Sequence, residues 1–367
     1  MKSIRVLHTE WSDGWGGQEI RILQEMLSMR DNGIEVFLAC RKKSLIFEKS
    51  TESKIPTFTL PFRGNIDIKT IFELKKIIKQ NKISIVNTHS GKDTWVGGFA
   101  AKLSGVKFIR TRHLSNPINN SKLNFINRLA DYIVTTGEKV KDDMIKKNNI
   151  LPQKIISIPT GPDEEIFDPR LFSKAESRLN FGIHGQEIAI GMLAVLRQFK
   201  RHDLFLNMAK ELIDTYPSLR FRFLIAGDGP QMENIKNQAA DLKIDKSISL
   251  LGHINNQAEF LNALDLFILC SDSGEGVPQS LMQALMMNLE IISSDAGSIL
   301  DLYHKRNLRI VRAGSQDSLN QEVIKFFRNS KNDISTPTSK REFMIQNFSK
   351  KQMIEKTLKI YKEILDR

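Results

Sequence analysis

The first 32 residues contain the pattern that decides the fold. SIRVLH at residues 3–8 is an apolar run typical of a buried strand, and TEWSDGWGG at residues 9–17 is a turn rich in glycine. Residues 18–32 then repeat apolar side chains at helical spacing. A strand, a glycine-rich turn and a helix in this order predict the start of a βαβ unit and a parallel sheet.

The same alternation continues along the chain and then starts again. A linker at residues 158–169 (IPTGPDEEIFDP) contains three prolines and one glycine, which is unsuited to the interior of a helix or strand. The pattern therefore predicts two α/β domains with parallel sheets and a border near residues 163–172. The predicted strands are 36–40, 83–88, 106–111 and 132–136 before the linker and 188–194, 221–226, 247–251, 266–270 and 290–294 after it, with helices at 68–80, 94–103 and 122–130.

Length and composition agree with two ordinary globular domains. The 367 residues exceed the size at which one core usually stops growing, and 41% of them are hydrophobic while 26% are charged. No apolar run approaches the roughly 20 residues that span a bilayer, and the first residues run straight into a strand. We therefore expect a cytoplasmic protein that is neither secreted nor membrane-spanning. Cys40 and Cys270 each end an apolar stretch, which predicts buried thiols.

The chain is basic, with a net charge of +12 from 54 Lys and Arg against 42 Asp and Glu. Basic surface favours nucleic acid, an anionic membrane or anionic substrates, and a solvated surface is the plain alternative. No compact basic-aromatic cluster or nucleic-acid motif is present, so we expect no nucleic-acid partner. The lysines that favour a membrane contact of the first domain are Lys75, Lys76, Lys79, Lys82, Lys102 and Lys107.

The segment SDSGEGVPQSLMQALM at residues 271–286 follows a predicted strand and is the strongest candidate site. Pro278 suits the first position of a helix, whose free N–H groups would bind a diphosphate. Glu275 would lie in the loop before this helix, and Gln283 about a turn and a half inside it. The two side chains are placed to hold the two sugars that flank the diphosphate of a nucleotide sugar.

This segment resembles the Glu-x7-Glu region of glycosyltransferase family 4, whose members are retaining enzymes with the GT-B fold. The resemblance implies that Glu275 contacts hydroxyls of the transferred sugar. Gln283 stands where the family has a ribose-binding Glu, and its amide lacks the charge-assisted strength of a carboxylate. The donor-binding residues that the segment supplies are Gly276, Val277, Pro278 and Gln283.

Further parts of the chain resemble the same family. In LRQFKRH at residues 196–202, Arg197 and Lys200 resemble the Arg/Lys pair that neutralises the diphosphate, at a shorter spacing than is usual. Gly297, in the turn SDAGS, would let the backbone approach the donor sugar. Gly16 and Gly17 resemble the glycine-rich donor-binding loop after the first strand of the family.

Two histidines follow predicted strands of the first domain. His113, in RTRH, resembles the family's histidine near the transferred sugar and is predicted to be catalytic together with Arg197, Lys200 and Glu275. His89 is a weaker acceptor-side candidate, with a purely structural role as the alternative.

The resemblance implies two Rossmann-like domains that face a central cleft. Residues 1–165 would form the acceptor-side domain, residues 166–345 the nucleotide-sugar domain, and residues 346–367 a helix that returns to the first domain. It also implies transfer of a hexose or related sugar to a glycan or lipid-linked acceptor of a bacterial surface polysaccharide or lipopolysaccharide. The lysines of the first domain named above favour a peripheral association at the inner face of the plasma membrane.

No Asp-x-Asp motif and no His/Cys cluster with metal spacing occur in the sequence, so we expect neither a metal nor another cofactor. Arg197, Lys200 and the helix start would stabilise the departing diphosphate, in a same-face substitution in which a donor phosphate oxygen helps take the acceptor proton.

Three alternatives remain open from the sequence. A nucleotide-sugar epimerase or a phosphorylase of the same fold would differ in its products. A degenerate member that only binds sugar or nucleotide is favoured by Gln283 and opposed by the joint presence of Glu275, Arg197, Lys200 and His113.

Overall fold

The computed structural model describes residues 3–113, 118, 125–273, 275–304, 307–329 and 337–366. The chain divides into two compact units, of which the first comprises Met1–Thr160 and Met353–Arg367 and the second Gly161–Gln352. The borders expected from the sequence, at residues 165 and 345, differ from the observed ones by several residues. The last helix therefore belongs to the unit that the first strand begins.

The first unit is built on a seven-stranded parallel sheet with the order β3-β2-β1-β4-β5-β6-β7. Its helices cover both faces, since Val6 packs in one buried cluster with Ile22 while its neighbour Leu7 packs in another with Leu74. The elements are β1 (Arg5–Glu10), α1 (Gly17–Asp31), β2 (Glu35–Cys40), α2 (Leu45–Glu52), β3 (Thr57–Thr59), α3 (Ile68–Gln80), β4 (Ile85–Thr88), α4 (Gly91–Leu103), β5 (Lys107–Arg112), α5 (Ile126–Leu129), β6 (Tyr132–Thr135), α6 (Glu138–Asn148) and β7 (Ile155–Ser157).

The second unit repeats this plan with six parallel strands in the order β10-β9-β8-β11-β12-β13. Strand order reverses between β8 and β11, so the loops that follow these two strands lie at the switch point where open parallel sheets bind ligands. Its elements are α7 (Lys174–Asn180), β8 (Ile188–Leu193), α8 (His202–Thr215), β9 (Phe221–Ala226), α9 (Met232–Asp241), β10 (Ile248–Gly252), α10 (Gln257–Ala263), β11 (Leu266–Leu269), α11 (Gln279–Met286), β12 (Glu290–Ser294), β13 (Arg309–Val311), α12 (Gln316–Asn329) and α13 (Pro337–Phe348).

The final helix, α14 (Lys350–Asp366), completes the core of the first unit. Met353, Ile360 and Tyr361 are buried in the same cluster as Val6 and Ile22. At its start, the Lys350 amide donates to the Pro162 carbonyl over 2.9 Å, and the Lys350 ammonium pairs with Asp163 at 2.8 Å. The predicted linker therefore lies directly beside the beginning of the last helix.

Several predicted bounds are wrong. The polar stretch NDISTPTSK at residues 332–340 predicts a loop, but α13 begins within it at Pro337, while residues 332–336 lie outside the described part of the chain. Lys340 is buried there and bonds to the Leu289 carbonyl and to Glu290. A residue within a polar stretch of sequence therefore occupies a packed position of the core. Strand β1 starts two residues later than predicted, and the short strands β3 and β13 carry too few residues to show a pattern.

The structure also bears on one predicted helix, on the two cysteines and on membrane-spanning helices. The helix expected at residues 122–130 is described only as α5, a single turn at Ile126–Leu129. Cys40 and Cys270 are free and buried as predicted, and burial raises the pKa of the Cys40 thiol to about 12. None of the helices in the described residues is long and apolar enough to cross a membrane.

Candidate active site

Two predicted site residues meet at the switch point of the second unit. Lys200, in the turn after β8, bonds through its ammonium to Oε1 of Glu275, in the loop after β11. The Ser271 hydroxyl donates to the same carboxylate oxygen. Both members of the ion pair are buried, while Oε2 of Glu275 has no partner among the described residues. The loop thus presents one free carboxylate oxygen at the carboxyl edge of the sheet.

Backbone contacts hold the Glu275 loop in place. The Asp272 amide donates to the Phe199 carbonyl over 2.9 Å, which joins the loop after β11 to the loop after β8. Gly297 has φ +60°, and a Cβ there would lie 2.0 Å from the Glu275 carbonyl oxygen. Glycine is therefore required at 297 because this turn abuts the backbone of Glu275. The contact of Gly297 with the donor sugar remains a prediction. In the structure, the turn at Gly297 packs against the backbone of Glu275 and supports it.

The start of α11 differs slightly from the expected one. Pro278 occupies the N-cap with extended backbone, and the first helical residue is Gln279. The helix therefore begins near Pro278 as predicted, but Pro278 stands one residue before its first turn instead of at its first position. Val277 is buried in the hydrophobic core, so only its backbone and that of Gly276 are left for a donor. Gln283 is half-buried, and no described residue bonds to its side chain.

Arg197 lies apart from the ion pair, on the wall of a cavity of about 730 Å³. This volume falls within the usual range of small-molecule pockets. Arg197 is exposed, and among the residues that the structure describes none bonds to its guanidinium. Neighbouring Arg201 is held instead by Asp203 at 2.7 Å and by Asp272 at 3.4 Å. Arg197 is therefore the cation of this cavity that is available to an anion.

Sequence reasoning missed much of the cavity wall. Polar side chains of α9 and of its preceding turn line it, although neither Lys200 nor Glu275 does. No motif marks Gln231, Asn234 and Gln238, because amides on a helix face read as ordinary solvent-exposed residues, whereas His202 and Asp272 lie inside the quoted segments 196–202 and 271–286. The residues missed are Gln231, Asn234, Gln238, His202 and Asp272.

The two predicted glycines of the first unit lie where its first helix begins. Gly16 is the N-cap of α1, and Gly17 is its first residue. The Gly16 amide donates to the Glu19 carboxylate over 2.9 Å. Neither residue has a positive φ, so the backbone itself does not require glycine at these positions. Their donor-binding role stays a prediction.

The predicted histidines of the first unit contact each other. His89 Nδ1 lies 3.0 Å from His113 Nε2, and His89 Nε2 lies 2.9 Å from Nδ1 of His8. Burial lowers the pKa of all three imidazoles. Sequence reasoning missed His8 as a site residue because it lies inside the apolar run of β1. The sequence feature that could have marked it is its place on the strand beside which the order of the sheet reverses.

A buried acidic cluster lies beside the histidines and was also missed. Glu10 accepts hydrogen bonds from the Trp11 and Ser12 amides at 2.8 Å, and Asp93 accepts from the Thr9 hydroxyl at 2.7 Å. Burial and the nearby Asp93 charge raise the pKa of Glu10 to about 8. Among the described residues, no group of three or more His, Cys, Asp or Glu side chains is placed to hold a metal ion.

Known proteins match both halves of the chain. The family described as Glycosyltransferase Family 4 matches residues 15–166, and that described as Glycosyl transferases group 1 matches residues 187–329. Together the two segments cover more than three quarters of the chain. A UDP-Gal:alpha-D-GlcNAc-diphosphoundecaprenol alpha-1,3-galactosyltransferase of Escherichia coli is 27% identical over 308 residues, which are 80% of this chain and 79% of the relative.

Solved structures match the fold over the full length. A glycosyltransferase from Rickettsia africae ESF-5 superposes with a TM-score of 0.90 at 20% identity, covering 100% of this chain and 99% of the other. HepE from Anabaena, solved in complex with UDP and glucose, has a TM-score of 0.83 at 14% identity and covers 98% and 100% of the two chains. Both the fold class and the family expected from residues 271–286 are thereby confirmed. The chain belongs to glycosyltransferase family 4 and is a glycosyltransferase with the GT-B fold.

Proposed function

We propose that this protein transfers a hexose or related sugar from a nucleoside diphosphate sugar to a glycan or lipid-linked acceptor of a bacterial surface polysaccharide or lipopolysaccharide. The observation that carries the proposal is the buried Lys200–Glu275 pair at the switch point of the second sheet, together with the unpaired Arg197 on the cavity wall. The E. coli relative, by its name, uses UDP-galactose, and the HepE structure contains UDP and glucose. A uridine diphosphate sugar is therefore the first donor to test.

The chemistry of these side chains suits a leaving diphosphate. Oε1 of Glu275 is held by Lys200 and Ser271, which leaves Oε2 to accept a hydrogen bond from a hydroxyl of the transferred sugar. Arg197, Lys200 and the N–H groups at the start of α11 stabilise the negative charge that develops on the diphosphate. We propose that these cations make transfer independent of a metal or other cofactor and that the sugar keeps its anomeric configuration.

A thermal-shift panel tests the donor site first. We expect one nucleotide and its sugar to raise the melting temperature equally with EDTA and with Mg²⁺, because a ligand of the native state stabilises that state. A shift only with Mg²⁺ would refute metal independence. Absence of a shift with UDP, GDP, ADP, CMP and their sugars would favour a degenerate protein without a donor site.

A charge-matched double variant tests the ion pair. Removing Lys200 alone would leave the buried Glu275 charge unpaired and destabilise the fold. Lys200→Met combined with Glu275→Gln removes both charges, so we expect a near-normal melting temperature and a loss of transfer of at least about 100-fold. Lys210→Met is the control, because this half-buried lysine of α8 also pairs with a carboxylate, Asp214, and has no contact with Glu275. Near-normal turnover of the double variant would refute the assignment.

We also infer that the first unit docks on an anionic membrane, at the inner face of the plasma membrane. Three large apolar side chains at the start of α3 are strongly exposed: Ile66 by 81%, Ile68 by 62% and Phe72 by 64%. Lysines surround them, and the Lys75 ammonium lies 5.7 Å from the Phe72 ring centroid. Exposed apolar side chains ringed by cations suit an interface of acyl chains and anionic headgroups, where each lysine contributes about 1 kcal/mol. The other lysines of this α3 patch are Lys69, Lys76 and Lys79.

Vesicle flotation separates this surface from a merely solvated helix. We expect the protein to float with phosphatidylglycerol vesicles and not with phosphatidylcholine vesicles. Ile66→Asn with Phe72→Asn should abolish flotation, while Leu179→Asn, at an equally exposed leucine of the second unit, should leave it unchanged. Equal flotation of all variants, or none with the unaltered protein, would contradict the docking surface.

A further inference from the structure

Three histidines of the first unit form a continuous hydrogen-bonded chain that ends inside the protein. His8 lies on β1, His89 directly follows β4 and His113 directly follows β5, so the chain crosses three adjacent strands. The two contacts measure 2.9 Å and 3.0 Å between ring nitrogens, and each pair of ring centroids is 5.2 Å apart. At the inner end, Nε2 of His8 is buried and has no partner among the described residues.

When all three histidines are neutral, their N–H groups can be arranged in only two ways. A neutral imidazole has one N–H and one bare nitrogen, and each contact needs one donor and one acceptor. Either every proton points inward, with N–H at Nε2 of all three rings, or every proton points outward, with N–H at all three Nδ1 atoms. The outer nitrogen, Nδ1 of His113, is therefore a bare acceptor in the first arrangement and a donor in the second.

The surrounding charges distinguish these arrangements. Positive Arg21 and Arg110 act on His89 and His113, at the middle and outer end of the chain. Negative Glu25 acts on His8, at the inner end. The inward arrangement puts the protonated end of the chain at His8, on which the Glu25 charge acts, and the bare end at His113, on which the Arg21 and Arg110 charges act, so charge favours it. It also uses the Nε2–H tautomer that free histidine prefers at all three positions. Both arrangements leave His8 Nε2 without a partner.

We infer that His8 and His89 are positioning residues that hold His113 in its Nε2–H tautomer, so that His113 offers a bare Nδ1 to a hydroxyl group of the sugar or the acceptor. His113 then accepts a hydrogen bond and is not a cation for the diphosphate. The identity of that hydroxyl rests on the proposed function, whereas the tautomer does not. Burial, with Arg21 and Arg110, lowers the pKa of His113, which keeps the ring neutral at neutral pH.

Nitrogen NMR of the full-length protein with ¹⁵N-labelled histidine measures the tautomer directly, without any substrate. We expect His113 to show protonated Nε2 and bare Nδ1 at neutral pH. His8→Leu removes the acceptor of His89 and should give a mixture of His113 tautomers. His8→Asn places an amide oxygen near the former Nδ1, so it should restore the Nε2–H form. His184→Leu, at an exposed histidine of the second unit, should change nothing.

Kinetics supply the second measurement. His8→Leu should lower kcat/KM about tenfold, the effect of one hydrogen bond to a substrate, and His8→Asn should recover most of that loss. Melting temperatures identify any variant that is simply unfolded. A His113 that carries its proton on Nδ1 in the unaltered protein, or a tautomer that His8→Leu leaves unchanged, would overturn the inference. A protein without transferase activity but with the expected spectra would refute the proposed function and leave the tautomer assignment standing.

Discussion

The Lys200–Glu275 pair changes how the predicted cations are understood. From the sequence, Arg197 and Lys200 looked like two equivalent partners of a diphosphate. In the structure they differ, because Glu275 neutralises Lys200, whereas the Arg197 guanidinium bonds to none of the residues that the structure describes. An incoming diphosphate therefore meets Arg197 as a free charge, while Lys200 is available only together with its carboxylate. Lys200 and Glu275 are 75 positions apart in the sequence, whereas Arg197 and Lys200 are three positions apart, so only folding reveals this difference.

Gln283 permits a prediction at a single side chain. Gln283→Glu should tighten nucleotide binding up to about tenfold, because a carboxylate accepts from ribose hydroxyls with charge-assisted strength. Isothermal titration with the nucleotide found in the thermal-shift panel measures the change. Gln346→Glu, at an exposed glutamine of α13, is the control for a general effect of negative charge. Weaker binding of Gln283→Glu than of the unaltered protein would mean that residue 283 does not face the ribose.

At the scale of elements, α14 stabilises the first unit through one buried hydroxyl as well as through apolar packing. Tyr361 is fully buried, and its hydroxyl donates to Glu25 over 2.8 Å and accepts from Asn87 at 3.4 Å. Glu25 also lies 3.8 Å from the Arg21 guanidinium. The helix therefore closes a polar cluster that α1 and β4 supply, which ties the end of the chain to its beginning.

Tyr361→Phe tests this closure. Loss of the hydroxyl leaves buried Glu25 with one partner fewer, so the free energy of unfolding should fall by about 1–3 kcal/mol. Urea unfolding followed by circular dichroism gives the value. Tyr303→Phe, at a tyrosine of the second unit that is 48% exposed, should have no comparable effect. Equal stability of the two variants would show that the Tyr361 hydroxyl contributes nothing.

At the scale of the whole molecule, buried titrating groups set the dependence of stability on pH. Burial lowers the pKa of His8, His89 and His113, and with the Lys200 charge it lowers that of His202 from 6.5 to about 4. Below pH 6.5 the histidines become protonated in the unfolded chain but stay neutral in the folded protein. The free energy of unfolding therefore falls as the pH falls toward 4. Glu10 acts in the opposite sense, because its pKa rises from 4.5 to about 8 on folding. Its contribution is lost as the pH rises to 8.

We therefore predict a stability maximum between about pH 6 and pH 7. Melting temperatures measured from pH 4 to pH 9 should fall on both sides of it. Glu10→Gln removes the group that titrates at alkaline pH, so this variant should show a flatter decline above pH 7. A flat profile of the unaltered protein between pH 6.5 and pH 8.5 would contradict the assignment of Glu10.

Local sequence patterns are enough to predict the two parallel α/β halves and the loops that carry the candidate site. Strand and helix patterns are local, and strands such as Phe221–Ala226 and Glu290–Ser294 and the helix Ile68–Gln80 have the predicted bounds. Parallel sheets place the residues that follow their strands at one edge, and the resemblance to glycosyltransferase family 4 singles out Glu275 and Lys200 among them.

Which of these residues touch depends on how the strands and helices are arranged in space. The Lys200–Glu275 pair, the chain of three histidines and the α9 wall of the cavity join residues that are far apart in sequence. Such contacts depend on strand order, and an apolar or amphipathic pattern records only that a strand or helix has a buried face. The burial of Lys340 and of His8 shows the same limit, because the partners that make a polar side chain tolerable in a core come from other elements.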